Sequence, residues 1–463
     1  MKRKARALRS LLPIVAAAFA VPLAGPAAAQ SSEWRDEPSG STQALIREEI
    51  GDRADKELRA FYAARNNEPL WVNDLGRPSG AASLLLLRLR SAEFDGLDPG
   101  DFQTDKLTKL LDRARRGDED DIAKTEVALS EAFAGFVRQM RAAKHADMIY
   151  ENDVLKPSVP TVREALESAA RADSLEQYLG EMRWMHPLYA PMREAMGNAR
   201  FSESQRQQIW RNLERIRAIP AMPDGRHVLV DAASARLWMY EDGKPVDSMK
   251  VVVGKPELQT PLMAGYIRYA ILNPYWNIPN DLVQDTIAPN VLNYGLGYLK
   301  QGRYQVLADW RSDAPLLDPK KVDWTAVREG LANVHVRQLP GGDNFMGKVK
   351  FEFPNPQGIY LHDTPDMQLM KLDDRHLSSG CIRLEDAAKM HRWLMGEPLP
   401  RKRGGDPEQV VQLPEWVPIY VTYLTAIPEG DRVIAFRDDP YARDAFRYGG
   451  EQGRTALARA DRP

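Results

Sequence analysis

Residues Arg236-Leu237-Trp238-Met239-Tyr240-Glu241-Asp242-Gly243 decide the fold of the second half of this chain. A short run of strand-forming residues ends on Asp-Gly, a pair that tolerates positive φ and so is a strong tight-turn signal. His227 to Val230 before it and Ser248 to Val253 after it are equally β-rich. Further strands are predicted at Tyr266 to Leu272, Val334 to Gln338, Val349 to Phe353, Gly358 to His362 and Ile419 to Thr425. Many short strands separated by turns predict a mostly β domain, built as a sandwich or partly closed barrel. Helical and loop patterns from Asp281 to about Gly342 interrupt it, including Val283 to Leu292 and Trp324 to Leu331. So long an excursion inside a compact domain reads as a lid.

Upstream the pattern is helical, from Thr42 to about Asn198. Leu84, Leu85, Leu87 and Leu89, then Val127, Leu129, Ala132, Phe133, Phe136 and Val137, recur at helix-face spacing, and breakers such as Asp98-Pro99-Gly100 divide the runs. No set of residues there has catalytic spacing, so this half reads as a scaffold. The sequence therefore predicts an α+β multidomain protein. An all-helical scaffold covers 43–198, and a connecting helix lies within 199–225, with Ile209, Trp210, Leu213 and Ile216 on one stripe. The mostly β domain covers 226–437 with its lid at about 281–342, and a charged, disordered tail covers 438–463.

The composition, 43% hydrophobic and 28% charged, supports sizeable cores. Lys2, Arg3, Lys4, Arg6 and Arg9 precede the short apolar run Leu11 to Ala20 and the small residues Ala27-Ala28-Ala29, which is the pattern of an export signal over 1–29. Residues 30–42 read as a flexible leader. The formal charge is −2, and removing those five cations makes the remainder more acidic, which argues against a nucleic-acid partner.

Cys381 is the only cysteine among 463 residues, and it lies in Ser378-Ser379-Gly380-Cys381-Ile382-Arg383. A lone thiol bound for an oxidising compartment has no intramolecular partner, so chemistry is the leading explanation. A cysteine nucleophile needs a base, a means of favouring thiolate, and donors for the developing oxyanion. An amphipathic helix predicted to start just after Cys381, marked by Leu384, Ala387, Met390, His391 and Leu394, would supply its dipole, with Glu385 and Asp386 working against it. Gly380 allows a tight bend that could aim backbone N–H groups at the oxyanion. Three histidines are candidate bases: His362 at the end of a β run, His376 in a charged loop and His391 in the helix. A zinc site from Cys381 and these histidines has no usual ligand spacing, so no metal and no cofactor is expected.

Tyr360-Leu361-His362-Asp363-Thr364-Pro365, followed by Ser378 to Arg383 with His362 and Cys381 19 residues apart, resembles the signature of the YkuD-type L,D-transpeptidases, which crosslink peptidoglycan. Asn273 to Pro279, Gly254-Lys255-Pro256 with Thr260-Pro261, Phe345 to Phe351, and Pro69-Leu70-Trp71-Val72 resemble the periplasmic, scaffold-bearing branch of that family. The resemblance implies a mostly β catalytic domain with Cys381 as nucleophile, His362 as base and the Asp363 carbonyl orienting the imidazole. It further implies that the N–H groups of Ser379, Gly380 and Cys381 form the oxyanion hole, and that Ser378, Arg383, Tyr360, Trp276 and Asn277 contact substrate. Two departures stand out. Ser379 occupies a position held by His in many relatives, though the scaffold-bearing branch is similar in having Ser there. The few residues between Met196 and Ser202 leave no room for the small peptidoglycan-binding module common in that branch.

The implied reaction takes a tetrapeptide stem as acyl donor, releases D-Ala, and passes the acyl group through a thioester to a second stem, giving a 3-3 crosslink. Water as acceptor would make the chain an L,D-carboxypeptidase, and a protein amine would make it an enzyme anchoring an outer-membrane protein to the wall. A cysteine protease is disfavoured because His precedes Cys and no Asn or Asp partner stands out. A non-catalytic wall scaffold is the remaining reading. The expected compartment is the periplasm, and the expected partners are stem peptides, with other cell-wall synthesis proteins on the helical half.

Overall fold

The computed structural model describes residues 40–444, apart from 52–54, 74, 143–146, 222–224, 312–313, 401–405 and 430–433. The export signal, the leader up to residue 39 and the tail beyond Asp444 lie outside the described residues.

Helices Gly40–Ile50, Lys56–Ala64, Gly80–Arg90, Thr104–Ala114, Glu119–Arg141, Val162–Ala170, Leu175–Glu181, Tyr189–Met196 and Glu203–Arg217 pack their apolar residues into one shared core. Local chemistry starts several of them. Ser79, Asp118 and Ser174 accept from N–H groups of the first turn, and Thr161 with Glu164 and Ser202 with Gln205 form reciprocal capping boxes. Leu87, assigned to the apolar stripe by spacing, faces solvent, while Ala81, Ala82, Leu85, Leu86 and Leu89 are buried. The Pro69-Leu70-Trp71-Val72 stretch is anchored by a buried carboxylate: Glu126 accepts from the N–H of Leu70 at 2.6 Å, the N–H of Trp71 at 2.9 Å and the Tyr62 hydroxyl at 2.7 Å. Trp71 also donates its indole N–H to Ser130 at 2.8 Å. These donors offset the cost of burying Glu126, whose pKa burial nonetheless raises.

The helix Glu203–Arg217, anticipated as a connector, is part of this core through Ile209, Leu213 and Ile216. It also grips the β domain, since Asn212 donates to the Thr425 hydroxyl at 2.8 Å and Gln208 to the Thr425 carbonyl at 3.0 Å.

In chain order the strands are β1 (Ile149–Tyr150), β2 (Arg226–Asp231), β3 (Arg236–Glu241), β4 (Lys244–Gly254), β5 (Met263–Leu272), β6 (Trp276–Ile278), β7 (Tyr304–Leu307), β8 (His335–Gln338), β9 (Val349–Glu352), β10 (Leu361–His362), β11 (His376–Ser378), β12 (Ile382–Leu384), β13 (Gln409–Thr422), β14 (Ala426–Pro428) and β15 (Ile434–Phe436). Pairing runs β5-β13-β2-β3-β4-β12-β10-β9 and returns from β9 to β5, so the sheet closes on itself. Closure leaves no long edge open, which resolves the sandwich-or-barrel alternative in favour of a barrel. The Asp242-Gly243 turn joins β3 to β4 with both residues at positive φ, 47° and 72°. The scaffold side contributes β1, which adds in parallel to β5, and the hairpin β14–β15 sends Ala426, Ile427 and Ile434 into the helical core.

The insertion differs from its helix-and-loop expectation. It begins at β6 and carries a three-stranded sheet, β6-β8-β7, over a core of its own that includes Ile278, Ile287, Val291, Trp324 and Val336. The predicted strand at Val334 to Gln338 therefore belongs to the insertion and not to the barrel.

The first residues of the supposed disordered tail are a second correction. Tyr441 is buried, stacks on Tyr423 with ring centroids 5.2 Å apart, and donates its hydroxyl to the Gly254 carbonyl at 2.5 Å. Asp444 pairs with Arg215 at 2.7 Å. Among the described residues no helix is long and apolar enough to cross a membrane.

Candidate active site

The barrel register brings the thiol and one imidazole together. In the parallel pair β10–β12, Leu361 faces Ile382 and His362 faces Arg383, and the Ile382 N–H donates to the Tyr360 carbonyl at 3.0 Å. Side chains alternate along a strand, so Tyr360 and His362 share a face with Cys381 and Arg383. Cys381 and His362 are thus diagonal neighbours, a relation that spans about 7–8 Å between Cα atoms in a regular sheet. β9 adds Lys350, opposite His362, and Glu352 to the same face.

The predicted helix does not begin at the thiol. Ile382 to Leu384 form β12, and the helix starts only at Ala387, capped by Asp386, which accepts from the Lys389 N–H at 2.8 Å. A helix dipole acting on the sulfur is therefore not part of this site. Tyr360 takes that role, since both its backbone N–H and its hydroxyl favour the ionised sulfur, as does Arg383. Burial acts more strongly and pushes the Cys381 thiol up, and Glu352 adds to the rise. The half-buried thiol itself donates to the Gly358 carbonyl at 3.7 Å.

His362 is buried, and its Nδ1 lies 2.7 Å from the Asp363 carbonyl. Burial first, then the Arg383 charge, pushes its pKa down to about 3, while the carbonyls of Asp363 and Phe345 pull in the opposite direction. At neutral pH the site therefore rests as neutral imidazole beside a thiol, the condition for a base that takes its proton during attack. The other two histidines are engaged elsewhere. His376 sets Nδ1 2.7 Å from Asp374 and Nε2 2.8 Å from the Ala232 carbonyl, and His391 sets Nδ1 3.1 Å from the Glu397 carbonyl. Among the described residues no group of three or more His, Cys, Asp or Glu side chains is arranged to hold a metal ion.

The loop carrying the thiol is held from below. Ser378, expected as a substrate contact, is buried. Its hydroxyl donates to the Cys381 carbonyl at 2.6 Å and accepts from the Gly380 N–H at 3.1 Å, so it shapes the loop instead. The Gly380 N–H is thereby removed from the proposed oxyanion set, leaving those of Ser379 and Cys381. Gly380 has φ +112°, which side-chain-bearing residues rarely adopt. The Gly254 to Pro261 motif forms the cradle: buried Thr260 donates to the Gly380 carbonyl at 2.8 Å and accepts from the Gly254 N–H at 2.9 Å, while the Lys255 N–H donates to the Ser378 carbonyl at 2.9 Å. A Cβ on Gly254 would meet the Leu258 carbonyl oxygen at 2.1 Å, so only glycine fits there.

The remaining predicted contacts divide. Among the described residues the buried Arg383 Nε has no hydrogen-bond partner, and the charges that act on Arg383 are those of Cys381 and Asp366, so a ligand could take the free N–H. Trp276 packs on Phe345 with ring centroids 4.6 Å apart, and the Phe345 carbonyl in turn meets His362. Asn277 is exposed on the opposite face of β6, paired in register with Arg337, and the structure does not bring it to the thiol. Nothing in the sequence marks a role for Phe345, because it meets His362 through its carbonyl, which leaves no side-chain signature. A cavity of about 530 Å³ opens beside Asp363, between barrel and insertion, with Asn273, Arg303, Pro340, Lys348 and Met367 in its wall.

Residues 56–196 match the family model described as a scaffold domain, and residues 225–434 match that of the L,D-transpeptidase catalytic domain, YkuD. A Haemophilus influenzae protein named "Putative L,D-transpeptidase" is 31% identical over 191 residues, which are 41% of this chain and 37% of that protein. The chain thus spans little more than a third of that relative's length. Two solved structures each share 15% identity at a TM-score of 0.22: the Ldtfm–avibactam carbamoyl enzyme, with 44% of this chain and 51% of that one covered, and an L,D-transpeptidase from Mycobacterium smegmatis, with 42% and 59% covered.

Proposed function

We propose that this chain, which carries a scaffold domain and a YkuD-type L,D-transpeptidase catalytic domain, is an exported enzyme that forms 3-3 crosslinks between peptidoglycan stems through a thioester on Cys381. The observation that carries the reading is the diagonal pairing of thiol and neutral imidazole on one barrel face, with the imidazole oriented by the Asp363 carbonyl. Cys381 attacks the carbonyl that joins the third stem residue to D-Ala, and His362 takes the thiol proton. The tetrahedral intermediate collapses, the C–N bond breaks, and His362 returns the proton to the departing D-Ala amine. An acceptor amine then attacks the thioester, its proton passes through His362, and the sulfur leaves and is reprotonated. N–H groups of Ser379 and Cys381 stabilise the oxyanion, while Arg383, Arg303 and Lys348 attract stem carboxylates. The insertion excludes water and favours an amine over hydrolysis. The compartment is the periplasm.

Incubating purified protein with disaccharide tetrapeptides and analysing the products by mass tests this. Crosslinked dimers and free D-Ala are the expected outcome. Free tripeptides without dimers would indicate a carboxypeptidase, and unchanged substrate would indicate a non-catalytic wall protein.

A further inference from the structure

A second cavity, of about 470 Å³, lies in the helical half, where the end of Glu119–Arg141, the segment around Ser158 and Pro160, the helix Val162–Ala170 and the chain leaving Glu203–Arg217 at Pro220 meet. Its volume falls in the range of about 300–1,000 Å³ typical of small-ligand sites. Three guanidinium groups line it: Arg141, Arg171 and Arg183. The two at the mouth are exposed and already paired, Arg171 with Glu167 at 3.6 Å and Arg183 with Glu181 at 2.7 Å.

Arg141 is different. It is 5% exposed, and its hydrogen bonds are two long ones to neutral carbonyls, 3.4 Å to Ser158 and 3.5 Å to Ile219. No carboxylate pairs with it among the described residues, and the charge that acts on it is that of another cation, Arg217, itself paired with Glu214 at 2.7 Å. A buried cation without a counter-charge is costly unless something else supplies the charge. Trp184, also in the wall and 6% exposed, has no acceptor for its buried indole N–H among the described residues. Tyr178 completes the wall, within the electrostatic influence of both Arg171 and Arg183. An uncompensated guanidinium, an unused indole donor and aromatic walls together suit an oxyanion carried on a partly apolar body.

We propose that this cavity is a second ligand site that takes a carboxylate of a peptidoglycan peptide stem, so that the helical domain grips the polymer whose neighbouring stem the thiol processes. The identity of the ligand rests on the proposed function, but binding here needs no turnover, so the two can fail separately.

The test is calorimetry on the full chain carrying Cys381→Ala, with disaccharide tetrapeptide as probe. The parent is expected to bind about two equivalents. Arg171→Glu with Arg183→Glu, both exposed and away from the core, should remove one of them or weaken it about tenfold or more, as loss of a charge-assisted contact does. Arg141→Met should do the same, with circular dichroism checking its fold. Amidating the stem carboxylates should have the same effect as the variants. A single equivalent in the parent, affinity unchanged in the double variant, or equal binding of the amidated probe or of inorganic phosphate would each overturn the proposal. Binding retained in a protein that yields no crosslinks would uphold this site while refuting the crosslinking reading.

Discussion

Burial dominates the Cys381 thiol and pushes its pKa up, and Tyr360, opposite it in register, acts against that rise through its backbone N–H and its hydroxyl. Tyr360→Phe removes one donor to the charged form, so the Cys381 pKa should move further up. A hydrogen bond to a charged group contributes about 1.5–3 kcal/mol, so alkylation at neutral pH should slow about tenfold or more. An unchanged pH profile of alkylation would show that the hydroxyl does not govern the thiol. His362→Gln keeps a polar ring-sized group but no base, and turnover should fall about 100- to 10,000-fold with the fold intact, as circular dichroism would verify. The proposed pair, Cys381 and His362, was legible because its chemistry is written in side chains at a distinctive spacing. Tyr360 was read only as a substrate contact, because its place opposite Cys381 depends on a register that spacing does not reveal. Ser378 was misread for the same reason, since its hydroxyl turns inward to its own loop.

At the scale of elements, the short β11–β12 connection works because three separate stretches hold it: Ser378 from within, the Gly254 to Thr260 cradle from beneath, and Tyr441 behind the cradle. Ser378→Ala deletes two of these hydrogen bonds and leaves a buried N–H unpaired, at a cost of about 1–3 kcal/mol. The variant should lose activity out of proportion to its small drop in thermal stability; equal losses in both would argue that the hydroxyl only supports the fold. The barrel strands were legible because turn signals and alternation are local. Closure was not, since the β5–β9 pairing joins residues far apart in sequence. The helix placed at Cys381 failed because Leu384 fits either periodicity, and β4 pairing with β12 overrode the helical pattern. Tyr441 looked like part of a charged tail because a single aromatic gives no periodic signal.

Across the whole molecule, the helical and β halves meet at a buried histidine pair, His186 and His227, whose Nε2 atoms are 3.4 Å apart beside Tyr240. Burial pushes His186 down to about 3 and His227 to about 4, and His362 lies at about 3. Each is depressed below the ordinary value of about 6.5, so below that pH the unfolded chain binds more protons than the folded one. Stability should therefore be full above about pH 6.5 and fall steadily as the pH drops toward 4, read as the thermal midpoint. A midpoint constant or rising over that window would contradict the buried, neutral state of these rings. The scaffold and barrel could be divided from sequence because helical and strand periodicities do not mix, whereas the seam between them joins residues that no local pattern connects. The thioester on Cys381 is tested by the intact mass of the protein after brief exposure to a disaccharide tetrapeptide. An adduct equal to the donor less D-Ala is expected, attached at Cys381, sensitive to hydroxylamine and absent from Cys381→Ala. Release of D-Ala with no adduct on Cys381, or turnover by the alanine variant, would contradict it.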